Sequence, residues 1–508
     1  MDEKNAPAET MDTPELSGSE SHKARPERRL VKRVLLWGVE IHGIAPTSVE
    51  ERVDTRLYQM FTVWFSAILN LTALSAGALG PVVWGLGLRD SVIILIIADI
   101  IGCLFPAYCV VFGPKLGVRT MVLTRFSFGY FGTALPSLLS VVSQGGWLII
   151  NSVIGGQVLA ATSTSNRIDD TVGIVIIVLI TFVITFFGYK VLHRFEMYIW
   201  IPNTVLFIAM LGVGGRNLSA RPSLPEPAAS ALISYGTTIY AANLTWCTSA
   251  ADYGIYHDSK TPTWKIFLYA YSGIFIPTFV GNILGAAFAA AAPAIPVWQA
   301  GLGDDDNFGR FLVAVLDPIG GFGKFLVVLA ALTIIAPCAL TMYSLGLSLM
   351  NISPIFTKVP RYIYMIIATA MRVHTNYPTQ HTIPLAIVCA THFFTALESV
   401  LNLMGYWVAS YTSIVLCEHF VFRRNDWSRY RSGDWKNAQN LPLGIAAVLS
   451  LLCSFGVIVP SIDQVWYTGP IAQVGTGDIG ILTGSLGAGL AYLVLRSAER
   501  AFSARSHG

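Results

Sequence analysis

The chain has 508 residues, of which 54% are hydrophobic and only 12% charged, against about 25% charged in an ordinary soluble domain. That balance excludes a soluble fold and makes the chain an all-α polytopic membrane protein. The formal net charge of +3 calls for no nucleic-acid partner, because a positive-inside distribution of Lys and Arg already accounts for the basic residues.

Residues 1–56 are polar and contain no continuous apolar core, so they are expected to form a cytosolic tail rather than a secretory signal. Apolar runs of about 20 residues predict spans near 61–88, 91–112, 133–160, 172–189, 197–213, 231–250, 263–287, 321–347, 395–421, 440–461 and 477–497. The segment 360–394 would supply the twelfth. Most Lys and Arg fall in the tails and alternate loops, which places both termini in the cytoplasm and makes the span count even. All seven cysteines lie in apolar stretches, which argues against a disulfide framework. The chain has no CxxC, HExxH or Walker-type GKS/GKT sequence, so uphill transport would need an ion gradient. The nine histidines are scattered, which gives no support to an integral-membrane enzyme. Channel and receptor readings differ from a carrier in lacking saturable, proton-dependent uptake.

In chain order, the first span carries Asn70, Thr72, Ser75, Gly77, Gly80 and Pro81. Such a sequence makes a poor continuous helix and predicts a break. The second span places Asp99 at membrane depth, where it is either a proton-handling group or a hydrogen-bonding partner of another helix. The glycine-punctuated basic stretch from Gly113 to Gly132 is expected at the cytoplasmic surface. In the third span, Trp147 and Asn151 are four residues apart and share a helical face, while Gly145-Gly146 and Gly155-Gly156 permit close helix approach. An aromatic plane and an amide on one small-residue surface suit a planar heterocycle with a polar edge; the alternative is helix packing plus one interhelical hydrogen bond.

The sixth span, GTTIYAANLTWCTSAADYGIY from Gly236 to Tyr256, is rich in small and polar side chains and reads as the wall of a pathway. Trp246 lies near its middle, away from the interfaces that tryptophans favour. It is either a ligand platform or a core residue.

Several stretches resemble the fungal purine-cytosine permeases of the nucleobase:cation symporter-1 family. They include GWLIINSVIGGQ in the third span, AADYGIY from Ala250, LESVLNLMGYW from Leu397, EHFVFR from Glu418, LPLGIAA from Leu441 and QVWYTGPI from Gln464. The resemblance implies a LeuT-like five-plus-five inverted repeat with two C-terminal helices added, about 12 transmembrane helices in all. Helices 1 and 6 would be broken around a central site. The implied divisions are a tail at 1–56, repeats at 57–220 and 221–425, helices 11 and 12 at 426–497, and a tail at 498–508. The family's substrate sandwich of two indoles and a helix-3 amide falls on Trp147, Trp246 and Asn151.

Two departures concern specificity. Where related permeases have paired asparagines around a proline in helix 8, this chain has IIAPCALTMYS, leaving Cys338 and Thr341 to read the substrate edge. Ile68 stands where relatives often place an asparagine, with Asn70 as a substitute. The implied activity is import of a purine or cytosine-like nucleobase by proton symport, with sodium as the alternative ion and no bound cofactor. Vitamin B6 or a nucleoside is the alternative substrate. The partners are thus a small planar heterocycle and the lipid bilayer, with the plasma membrane as the expected location. Asp252, at the end of the broken sixth span, is the leading candidate for coupling or gating, or else a partner of the loop with Lys260 and Lys265. Glu398 and Asp99 follow.

Residues 371–382 would put Arg372, His374, Asn376, Gln380 and His381 at membrane depth between two apolar half-spans. They are expected to be translated intron sequence or a splice variant, the alternative being a re-entrant loop lining the transport cavity.

Overall fold

The computed structural model describes residues 43–163, 168–186, 198–219, 226–303, 307–359, 363–364 and 392–506. The insert at 371–382 lies outside the described residues. The first span is two helices, α1 (Leu57–Ile68) and α2 (Leu71–Trp84), bent by 55° at Leu69–Asn70. There follow α3 (Leu88–Leu116), two short helices α4 (Thr120–Leu123) and α5 (Arg125–Gly132), then α6 (Ala134–Ala161), α7 (Asp170–Phe186) and α8 (Trp200–Gly214).

The second part of the chain holds α9 (Ala229–Leu244), which gives way to two 3-10 turns, Thr245–Thr248 and Ala250–Tyr253. After it come α10 (Thr263–Ala291), α11 (Pro296–Leu302), α12 (Phe308–Leu316), α13 (Gly320–Thr333) and α14 (Ile335–Ile352). The chain closes with α15 (Phe393–Cys417), α16 (Ile445–Ile458) and α17 (Gly480–Ser506). Among the described residues six helical runs are long and apolar enough to cross a membrane, and the bent α1–α2 pair makes a seventh.

Small residues set the helix crossings. α10 packs along α1, α2 and α3, and a Cβ at Gly77 would collide with the Asn282 carbonyl, as one at Gly285 would with the Leu74 carbonyl. The backbones of α2 and α10 therefore touch, which lets dispersion hold helices that lipid does not drive together. Gly156 meets Ile174 of α7 in the same way, as the third-span glycines predict. Two apolar clusters result. One joins α2, α6, α7, α8, α12, α13 and α14, the other α1, α3, α9, α15, α16 and α17. The first break falls at their seam, with Ile68 in one and Leu69 in the other.

Two features go beyond the sequence expectations. The basic stretch expected at the cytoplasmic surface is covered by other parts of the protein and buried from Leu116 to Gly129. Its guanidinium groups find oxygen partners inside: Arg125 Nε donates to Asn351 Oδ1 at 2.9 Å and Nη1 to the Trp435 carbonyl at 2.9 Å. Residues 423–440 fold back to supply such partners, and Ser432 Oγ donates to the Leu116 carbonyl at 2.9 Å. A buried cation so satisfied is tolerated. The short helices α11 and α12, between the seventh and eighth predicted spans, have no counterpart in the sequence reading; a helix of two turns is too short for periodicity to register.

Candidate functional site

The two breaks face a common cavity. At the first, Asn70 caps α2: its Oδ1 accepts from the Thr72 and Ala73 amides at 2.8 and 3.3 Å. Its Nδ2 donates back to the Ala67 carbonyl at 2.7 Å. One amide thus satisfies donors that start one half-helix and an acceptor that ends the other. From outside the span, Asn203 of α8 donates to the Leu69 carbonyl at 2.8 Å and accepts from Thr333 at 3.0 Å.

At the second break the hydroxyls of Thr245 and Thr248 turn back to the Ala242 and Thr245 carbonyls. The turn that follows is held by a loop distant in sequence: Thr120 Oγ1 accepts from the Ala251 amide at 3.1 Å, the Thr120 amide donates to Asp252 Oδ1 at 2.7 Å, and Arg119 donates to the Asp252 carbonyl at 3.0 Å. The helix ends this exposes are the kind of terminus that binds polar ligand groups in broken-helix carriers.

The cavity wall takes Ile68, Asn70 and Thr72 from the first break, Ser143, Gln144, Trp147 and Asn151 from α6, and Asn243 through Ser249 in part from the second. Thr278 and Asn282 of α10 and Pro337 and Thr341 of α14 complete it. Among the described residues its lining has no charged side chain. Trp246 is fixed edge-on against Trp64, ring centroids 5.5 Å apart, and Trp64 meets Tyr253 likewise at 5.4 Å. The Tyr253 hydroxyl in turn reaches Ser344 of α14 at 3.0 Å. Asn151 Oδ1 accepts from the Thr72 hydroxyl at 2.6 Å, which leaves its NH2 as the edge offered to the cavity.

Of the sequence candidates, Trp147, Asn151, Trp246, Asn70 and Thr341 line the cavity and Cys338 does not. Cys338 is fully buried in the apolar cluster, because one residue past Pro337 the helix turns it away from the face that Pro337 and Thr341 share. Thr341 donates its hydroxyl to the Pro337 carbonyl at 2.7 Å, the carbonyl four residues earlier.

None of the three carboxylates lines the cavity. Asp252 is bound to the Arg119–Thr120 loop, which the sequence reading did not consider as its partner. Glu398, buried on α15, faces Asp463 and Gln464 in the connection after α16 and Asp478 just before α17. Tyr406, Gln464 and the Gly480 amide donate to the buried Asp478 carboxyl. Asp99 lies behind the wall, in contact with two residues that form it. The sequence reading missed Asn203 and Asn282. Each is a lone amide in an apolar span, the same signal that singled out Asn151.

Residues 46–469 match the family described as permeases for cytosine/purines, uracil, thiamine and allantoin. The purine-cytosine permease FCY2 of Saccharomyces cerevisiae is 33% identical over 478 residues, covering 92% of this chain and 87% of that protein. The purine-cytosine permease fcyB of Emericella nidulans is 31% identical, covering 92% and 90%. The vitamin B6 transporter TPN1 of Saccharomyces cerevisiae is 31% identical over 411 residues, covering 78% and 68%. Among solved structures, the nucleobase-cation-symport-1 transporter Mhp1, closed with bromovinylhydantoin bound, superposes with a TM-score of 0.66 at 13% identity, covering 91% of this chain and 97% of that one. A Na+-coupled sialic acid symporter gives 0.58 at 15% identity, covering 92% and 95%. These likenesses show the fold, the LeuT-like arrangement that the sequence resemblance implies.

Proposed function

This chain belongs to the family of permeases for cytosine/purines, uracil, thiamine and allantoin, and we propose that it is a secondary active transporter importing a purine or cytosine-like nucleobase by proton symport. The observation that carries this reading is the cavity between the two breaks. Two indoles stand in its wall, an amide whose carbonyl is already occupied offers its NH2, and none of the described residues that line it is charged. Such a site suits a flat, uncharged heterocycle with a hydrogen-bonding edge.

Trp147 and Trp246 would hold the ring faces and Asn151 its edge, with Asn70 shaping the adjoining break and Thr341 contributing from α14. A second reading, vitamin B6, is favoured by one specific feature: α14 offers Pro337 and Thr341 to the cavity, without an amide. Competition for uptake of radiolabelled cytosine by adenine, uridine and pyridoxine, in cells lacking their own carriers, separates the two. Inhibition by adenine at low concentration supports the nucleobase reading; inhibition by pyridoxine alone overturns it.

Uptake that collapses with a protonophore and persists when sodium is replaced supports the proton as the driving ion. The plasma membrane is the proposed location, with both termini cytoplasmic as the distribution of Lys and Arg supports. Residues 371–382 are proposed to be retained intron sequence; a transcript that keeps these codons and yields a transporting protein overturns that.

A further inference from the structure

Asp99 is buried at mid-length of α3. Asn243 Nδ2, at the end of α9, donates to its Oδ1 at 2.9 Å, and Asn282 Nδ2, on α10, reaches Oδ1 and Oδ2 at 3.1 Å each. Both asparagines line the ligand cavity and Asp99 does not. The carboxylate therefore stands one side chain behind the wall, linked to it by two amides from two different helices. A Cβ on Gly102 would press on the Asn243 side chain, so α3 and α9 hold that amide closely.

The titratable groups that face Asp99 are Cys103 on its own helix, Tyr235 on α9 and Tyr271 on α10. The two tyrosine hydroxyls donate elsewhere, to the carbonyls of Gly77 and Ile100. α2, packed against α3 and α10, contributes no titratable side chain. Among the described residues no Lys, Arg or His pairs with Asp99. An uncompensated carboxylate inside a membrane is costly, and neutral donors relieve only part of that cost. A proton is the remaining way to neutralise it.

We propose that Asp99 binds the co-transported proton and passes its protonation state to the ligand through Asn243 and Asn282. The proposal deepens the reading of the chain as a nucleobase symporter and rests on it. Ionised, the carboxylate can only accept, so both amides must present NH2 to it. Their carbonyl oxygens take no hydrogen bond from the described residues and are left as acceptors for a ligand N–H. When a proton adds to Oδ2, that oxygen becomes a donor and needs an acceptor. A half-turn of the Asn282 amide supplies its Oδ1 and brings its NH2 round to the cavity. The proton is held as the O–H of Asp99 and released from the same oxygen. The cavity thus changes from acceptor to donor at Asn282 as the proton is loaded, and ligand and proton affinities become linked, each altering the other by the same factor.

The test uses the full chain purified into liposomes, with radiolabelled cytosine as the probe and Asp99→Asn and Asp99→Glu as variants. Asp99→Asn is expected to keep cytosine exchange while losing accumulation driven by an inward proton gradient, its accumulation ratio falling to the equilibrium value. Its cytosine affinity should no longer vary with pH, and Asp99→Glu should restore part of both. Proton-driven accumulation in Asp99→Asn with the wild-type pH profile overturns the proposal. Should Asp99→Asn fail to reach a folded state, infrared difference spectra of the ligand-free wild type across the near-neutral range decide. A protonated-carboxyl band that grows on acidification and shifts in Asp99→Glu supports the proposal; its absence overturns it. That measurement needs no substrate, so a wild type that carries neither cytosine, adenine nor pyridoxine counts against the nucleobase reading and leaves the proton site to the infrared result.

Discussion

The two interrupted spans solve one problem in different ways. At the first break one side chain, Asn70, bridges both half-helices across residues 67–73, and the amide of Asn203 on α8 adds one distant bond, to the Leu69 carbonyl. At the second, the freed backbone of residues 251–252 depends on Arg119 and Thr120, more than a hundred residues earlier. A local cap makes a break that each half-helix can form as it folds. A borrowed cap exists only once α3 and the loop after it have docked. The first break is accordingly held mostly from within its span, with Asn203 of α8 tying in the Leu69 carbonyl, whereas the second is tied to the position of α3, which is also the helix that carries Asp99. Trp246 sits on the second, so the aromatic wall of the cavity is coupled to that docking.

The comparison is sharpened most by removing the indoles. Trp246→Ala and Trp147→Ala are each expected to abolish or strongly weaken nucleobase uptake while the protein still reaches the membrane, stacking being worth roughly 0.5–1.5 kcal/mol beyond burial. Wild-type uptake kinetics in both variants would remove the sandwich. Asn151→Ala should follow, with weakened uptake, since it deletes the NH2 offered to the cavity.

Cys338→Asn and Thr341→Asn form an informative pair. The first buries an amide in an apolar cluster and should cost about 1–3 kcal/mol of stability if its polar groups go unpaired, read as a lower Tm in detergent. The second adds an amide to the cavity wall and should shift competition towards cytosine and purines. A reversed pattern would place the edge-reading position at 338.

The smallest effects test the caps themselves. Asn70→Ala should lower stability by about 1 kcal/mol, with Asn70→Ser recovering most of it. Thr120→Ala removes only the acceptor for the Ala251 amide, and a loss of about 1 kcal/mol is expected. Because the caps share no partner, the double variant should be additive. Strong non-additivity in thermal unfolding would mean that the breaks act as a unit.

Much of this protein was decided by its sequence alone. Apolar runs of membrane length located most of the described helices, because a bilayer forces each segment to satisfy its own backbone, although the last runs to Ser506, past its predicted end, and the segment 360–394 lies almost wholly outside the described residues. Trp147, Asn151 and Trp246 stood out because polar and aromatic groups at mid-depth need a reason. Of the two glycine pairs of α6, Gly155-Gly156 gives the expected close helix approach, against Ile177 and Ile174 of α7, while Gly146 faces Val400 and Met404 of α15 and a Cβ on Gly145 would meet nothing within 4 Å among the described residues.

Only the tertiary structure decided which polar residues meet. Cys338 and Thr341 are equally polar candidates in sequence, yet the helix phase around Pro337 sends one to the core and the other to the cavity. Arg125 reads as a surface cation until Asn351 and the Trp435 carbonyl are brought to it. Asp99 reads as an isolated carboxylate, and its two amide partners lie 144 and 183 residues away. Pairing across such separations leaves no periodic trace in the chain, since it depends on how three helices cross rather than on the pattern within any one of them.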